Sequence, residues 1–159
     1  MGTEGSKEHE AMNFGEVRNV AEEDSKRIWE IRNDPRTRGN FNNTEEIPLD
    51  THMEWMKNKY FINTDNYCFV LDFNDKIVGY CRFDLQNGKY IVSIAIGQDF
   101  QGRGLGYKLL KNSIEKIGSD KKVEAQVQLG NESSLRIFIK NNFKIYNQDN
   151  KNYYLSLTT

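Results

Sequence analysis

Six residues, Gln101-Gly102-Arg103-Gly104-Leu105-Gly106, have the composition of a phosphate cradle. Glycines at alternate positions let the backbone turn sharply and gather several N–H groups into one concavity, with no Cβ to block a bulky partner. The flanks set this loop between two regular elements. Ile91, Val92, Ile94, Ala95 and Ile96 form a short β-branched run that predicts a buried strand ending near Gly97. Leu105, Leu109, Leu110, Ile114 and Ile117 recur at helical spacing, with Lys108, Lys111 and Glu115 between them, so the loop opens directly into an amphipathic helix. The free N–H groups and positive dipole end of that helix would face the same anion. Two well-known phosphate loops do not fit. Gly106 is followed by Tyr107 and Lys108 rather than Lys-Ser/Thr, and Leu109 stands where a dinucleotide fingerprint needs its third glycine.

A chain of 159 residues is long enough for one domain with a sizeable core and too short for two ordinary ones. We expect one domain over residues 11–159, preceded by a polar, glycine-containing tail over residues 1–10 that lies outside the fold, as a disordered native segment or an added remnant. A net charge of -1 gives no support to nucleic-acid binding. Cys68 and Cys81 both sit in apolar, strand-like surroundings and predict buried thiols in a reducing compartment, with no metal site, since ligand clusters such as Cys-x-x-Cys are missing. No apolar run approaches the roughly 20 residues that span a bilayer, so no membrane role and a cytoplasmic location are expected.

Along the chain, residues 14–21 alternate as a first strand, and Glu22, Glu23 and Asp24 start a helix carrying Ile28, Trp29 and Ile31 that ends near Asn33. Residues 32–43, polar and rich in turn formers, read as a loop whose Arg32, Arg36 and Arg38 suit phosphate or carboxylate groups. Pro48 and Asp50 announce a second helix with Met53, Trp55, Met56, Tyr60 and Phe61 on its apolar face and His52 early in it. Residues 67–73, 77–83 and the strand from Tyr90 form an antiparallel meander around turns at Asn74-Asp75-Lys76 and Gln86-Asn87-Gly88. After the loop helix, a strand over residues 123–129 puts Val123, Ala125 and Val127 on one face and Glu124, Gln126 and Gln128 on the other, which is wet or lines a site. Asn131 caps a short helix with Leu135, Phe138 and Ile139 inward, and residues 143–146 and 153–157 close as a hairpin.

The pattern Gln101-x-x-Gly104-x-Gly106, set between a strand and a helix, resembles the acyl-coenzyme A loop of the GNAT N-acetyltransferase superfamily. The order of elements resembles that family from Phe14 to Leu157, and Asn131-x-x-Ser134-x-x-x-Phe138-x-x-x-Asn142-Phe143 is similar to its Asn-x-x-Ala/Ser-x-x-x-Tyr-x-x-x-Gly-Phe segment. The resemblance implies an α/β (α+β) GNAT fold, a central mixed, mostly antiparallel sheet of about seven strands flanked by about four helices. It implies acetyl-CoA as cofactor, with Ile94, Ala95 and Ile96 along the pantetheine arm. It further implies Gln101, Gly102, Arg103, Gly104, Leu105, Gly106, Tyr107 and neighbouring Lys108 about the pyrophosphate, and Asn131, Ser134 and Phe138 beside the coenzyme. Two positions depart from the pattern. Phe138 stands where many members carry a tyrosine that protonates the departing thiolate, leaving Tyr146, Tyr107 or a water for that step, or a thiolate that departs unaided. Asn142 replaces a glycine, and asparagine tolerates the left-handed backbone required at a helix C-terminus.

The implied reaction is direct attack by a primary amine on the thioester, with Glu124, Asp84 and His52 as candidate bases. Neither cysteine stands in a context that activates a nucleophile. For the acceptor, Trp29-x-x-Arg32-Asn33-Asp34-Pro35-x-x-Arg38, then Phe41-Asn42 and His52-x-x-Trp55, resembles GNAT enzymes that acetylate nucleotide-linked amino sugars. That resemblance implies Arg32, Asn33, Arg38, Asn40, His52 and Trp55 as substrate-binding residues, a small-molecule amine as partner, and admits a homodimer. Acetylation of protein N-termini or other small amines stays open, as does a GNAT-like protein that binds CoA without turnover.

Overall fold

Tyr67, Phe69 and Leu71 point to one face of a strand while Cys68 and Val70 point to the other, and both sets pack into apolar clusters, so this strand is covered on both sides. It is the second of seven strands in one sheet. The computed structural model describes residues 15–38, 45–62 and 64–159. The expectations for residues 1–10, Phe14, Asn40, Phe41 and Asn42 lie outside the described residues, as does the side chain of Arg38.

The elements run β1 (Glu16–Asn19), α1 (Ser25–Asn33), α2 (Pro35–Arg38), α3 (Leu49–Met56), β2 (Tyr67–Phe73), β3 (Lys76–Gln86), β4 (Lys89–Ile96), α4 (Leu105–Ile117), β5 (Lys122–Gln128), α5 (Glu132–Lys140), β6 (Lys144–Gln148) and β7 (Asn152–Thr158). Strand order is β1-β2-β3-β4-β5-β7-β6, antiparallel throughout except for parallel β4–β5. The meander turns as expected: Asn74 and Asp75 have φ of 52° and 60°, Asn87 and Gly88 52° and 82°, the double positive φ that matches the twist of paired strands. Between Leu71 and Asp72 the partner jumps from Gly79 to Ile77, and this bulge resets the alternation so that Val78 and Tyr80, two residues apart, enter opposite clusters. Helices α4 and α5 cover the face holding Phe69, Phe83, Leu109 and Leu155, while α1 and α3 cover the face holding Val70, Tyr80 and Ala95. Cys81 joins the first cluster and Cys68 the second, both as free thiols; burial raises both, Cys81 to about 12.

Some expectations are corrected. Residues 32–43 are not all irregular, because Asp34 followed by Pro35 starts a helical turn: proline gives up no needed N–H at that position, and Asp34 accepts from the amides of Arg36 (2.9 Å) and Thr37 (2.8 Å). Helix α3 continues through Lys57–Phe61 with wider, π-type winding. The buried stripe runs His52, Met56 and Tyr60 at spacing four, which leaves Met53 to one side and 40% exposed. Ile139 likewise faces out, at 45% exposure, because residues 134, 135, 137 and 138 supply the covered stripe of α5.

The entry to α1 is held by one buried carboxylate. Asp24 accepts two hydrogen bonds from Arg18 (2.8 and 3.0 Å) and one from the amide of Ala21 (2.7 Å), tying β1 to the helix. Burial by itself raises this carboxyl, but the bonds from Arg18 and Ala21 outweigh it and hold it below its ordinary 3.8. A depressed carboxylate stabilises the fold above its unfolded value and loses that contribution as pH falls through the folded one. Asp24→Asn is therefore expected to cost about 1–3 kcal/mol at pH 7. Urea midpoints of variant and wild type should converge as pH falls below the ordinary 3.8 and through the lowered folded value.

Candidate active site

Strands β4 and β5 pair only at Tyr90↔Val123 and Ile91↔Glu124 and then part. From Val92 to Ile96, β4 remains fully paired with β3, so alternate residues turn N–H and C=O groups into the gap without a strand to receive them. The gap is a cavity of about 390 Å³ walled by Val92, Ser93, Ile94, Ala95 and Ile96 on one side and Gln126, Val127 and Gln128 on the other. The polar face of β5 predicted from alternation thus faces the opening.

At the top of the gap stands the glycine loop. Gly102 and Gly104 have φ of 78° and 75°, in the left-handed region that favours glycine, and a Cβ at either would meet nothing within 4 Å. Gly104 is the N-cap of α4 and no side chain caps the helix, so its first-turn amides stay directed at the cavity. Gln101 donates Nε2–H to the carbonyl of Ile96 (3.2 Å) and so fastens the loop to the end of β4. Gly106 lies against α5, where a Cβ would come 2.5 Å from Ile137 Cδ1.

Of the predicted coenzyme residues, Ile94, Ala95, Ile96, Gln101, Gly102, Gly104, Leu105, Gly106, Tyr107, Asn131, Ser134 and Phe138 all line this cavity. Arg103 does not; its guanidinium lies over the ring of Phe100 at 5.5 Å. Asn131 caps α5 by accepting from the Ser134 amide (3.3 Å), and Phe138 is buried edge-on to Phe143 at 5.1 Å. Sequence reading passed over Thr37, Arg136 and Lys140, which also line the cavity. The signal for the last two was their spacing, four apart on one face of α5.

The remaining candidates divide by surroundings. Glu124 stands at the last β4–β5 pairing, half-buried but outside the cavity lining, accepting from Lys89 Nζ at 2.8 Å, a bond that raises the Lys89 ammonium. Tyr146 lies outside the cavity lining beside Glu124; partial burial and then that carboxylate raise its hydroxyl above the ordinary value. Asp84 is buried, accepts from Tyr60 Oη (2.7 Å) and Arg82, and lies 3.5 Å from Lys59 Nζ. His52 is buried, its Nε2 2.8 Å from the carbonyl of Ser25, and burial lowers it, so it is neutral at pH 7. Asn33 spends both ends of its amide on Ile47, donating at 2.7 Å and accepting at 3.0 Å. Arg32 and Trp55 stay half-buried, the guanidinium 5.1 Å from the indole centroid.

A mixed sheet that opens beside an uncapped, glycine-led helix defines a class, the acyltransferases that bind their donor in the split of the sheet. The profile of the acetyltransferase (GNAT) family matches residues 25–143. The chain belongs to that family and is an acetyl-CoA-dependent N-acetyltransferase. Among solved structures it is similar to an N-acetyltransferase from Staphylococcus aureus Mu50 (20% identity, 91% of this chain and 98% of that one, TM-score 0.76). It is similar also to the putative acetyltransferase yncA from Salmonella typhimurium with acetyl-CoA (18%, 92% and 94%, 0.75). A third is the spermidine N-acetyltransferase from Vibrio cholerae in complex with CoA and spermine (15%, 90% and 94%, 0.77). At these identities the likeness concerns the fold. No curated protein sequence matches.

Gly104→Glu brings a carboxylate into the anion cradle without meeting a neighbour at Cβ. Calorimetry is expected to show acetyl-CoA binding weakened by at least ~100-fold, with the strained φ costing only about 1 kcal/mol of stability.

Proposed function

We propose that this enzyme transfers acetyl from acetyl-CoA to the primary amine of a nucleotide-linked amino sugar by direct attack in a ternary complex. One observation carries the reading: the unpaired edge of β4, the glycine loop and the first turn of α4 open into one cavity. Such a cavity fits a ligand with an amide-bearing arm and a diphosphate. Acetyl-CoA supplies the acetyl group activated as a thioester.

The amides from Gln101 to Gly106 hold the pyrophosphate, and Arg136 and Lys140 add positive charge at the rim. Asn131 and Ser134 border the coenzyme across the gap. An N–H on the free edge of β4 polarises the acetyl carbonyl. Glu124 takes the proton from the attacking amine through solvent, since its residue is the last on β5 to pair with β4 and it accepts from Lys89, whereas Asp84 accepts from both Tyr60 and Arg82. Phe138 has no proton to give and Tyr146 lies outside the cavity lining, which leaves Tyr107, a lining residue, or solvent to protonate the departing sulfur. Neutral His52 orders α1 against α3 through Ser25. On the acceptor side, the half-buried indole of Trp55 offers a surface on which a sugar ring stacks.

The test is thiol release from acetyl-CoA with a nucleotide-linked amino sugar, a polyamine and a peptide N-terminus as rival acceptors. Release with the amino sugar is expected; bound acetyl-CoA with no release for any amine would identify a CoA-binding protein without turnover. Glu124→Gln should lower kcat by ~10²-fold or more with donor affinity unchanged.

A further inference from the structure

The side of the sheet turned toward α1 and α3 carries a group of charges that the acetyl donor does not use. Guanidinium carbons of Arg32 on α1 and Arg82 on β3 lie 5.1 and 5.2 Å from the centroid of the Trp55 indole, and Lys59 Nζ lies 5.6 Å from it. Arg82 is paired in register with Ser93, and Ser93 walls the donor cavity, so the group stands one strand from the gap.

Its charges do not balance. Asp84 is the one carboxylate in ion-pair contact with it among the described residues, and it is already shared by Arg82 and Lys59, with Tyr60 Oη as a third donor. Arg32 has its indole contact but no carboxylate within ion-pair distance among the described residues. The buried Nε of Arg82 has no acceptor there. Burial, and after it the charge of Arg82, lowers Arg32 from its ordinary value, the mark of a cation short of counter-charge. A guanidinium is a planar donor fork, the geometry that suits an oxyanion better than a point charge.

We propose that Arg32 and Arg82, set on Trp55, are the seat for an anionic group of the acceptor, a carboxylate or a phosphate carried on the same molecule as the reacting amine. This deepens the acetyltransferase reading and rests on it for the ligand being the acceptor. Asp84 and Tyr60 act as positioning residues, fixing Arg82 with its Nε free. The seat disfavours polyamines, whose additional ammonium groups meet like charge. Its cost to the free protein is an unpaired half-buried cation, which the acceptor's anion offsets on binding.

Calorimetry with CoA present reads the seat without turnover, CoA filling the other phosphate-binding end. The probes are O-phosphoethanolamine against ethanolamine, and β-alanine against β-alaninamide. At least one anionic member is expected to bind ~30-fold or more tightly than its neutral counterpart, and the pair that shows the preference tells phosphate from carboxylate. Arg32→Met should remove the preference and leave CoA affinity intact, while Arg32→Lys retains part of it. Equal affinities within both pairs, or a preference that survives in Arg32→Met, overturns the proposal. Failure of CoA itself to bind counts instead against the acetyltransferase reading.

Discussion

A parallel strand pair that ends after two residues leaves half of a strand's backbone unanswered. In β4, Val92 to Ile96 are committed to β3 on one edge and open on the other. Buried backbone groups cannot stay unpaired cheaply, so this edge must meet solvent or a ligand that behaves as a strand. Parallel neighbours need a crossover, here α4, and that helix seats Leu105, Leu109 and Leu110 in the cluster on one face of the sheet. The glycine loop is the hinge between strand and crossover, and the helix dipole therefore ends at the mouth of the split.

The split also divides the chemistry between two faces. On the side of α4 and α5, apolar packing runs through Phe83, Leu109, Phe138 and Phe143 up to the cavity wall. On the other, the strand alternation brings Arg82 and Asp84 of β3, Ser93 of β4, and Glu124 and Gln126 of β5 to the side of α1 and α3, since neighbours along one strand face opposite ways and register partners share a face.

Two departures from the family pattern have separate outcomes in the fold. Asn142 takes φ of 71° and ends α5 in the left-handed conformation, the geometry a glycine would give. Phe138 keeps the shape of an aromatic core residue, packed on Phe143, but brings no hydroxyl to the cavity. The backbone requirement is met by a substitute and the proton donor at that position is not, which moves the burden of protonating sulfur away from α5.

Alternation, glycine spacing and turn chemistry determined by themselves the strand sequence, the hairpins at Asn74-Asp75 and Asn87-Gly88, the cradle at Gly102 and Gly104, and the wet face of β5. Each is a local property, set by φ preferences and a period of two or 3.6 residues. The short helix from Pro35 was legible too, in Asp34-Pro35, but polarity masked it. What only the tertiary structure decided is which long-range partners consume a side chain. Asn33 looked free until Ile47 took both ends of its amide, and His52 until Ser25 took its Nε2. Asp84 resembled a base until Tyr60, Arg82 and Lys59 closed around it. Arg82, unremarked in a strand, became half of an oxyanion seat because β3 pairs with β4 and α3 lays Trp55 across it. Pair contacts between residues 27 to 50 positions apart, such as Ser25 with His52 and Arg27 with Ile77, have no local signature. They exist only once the sheet order is fixed.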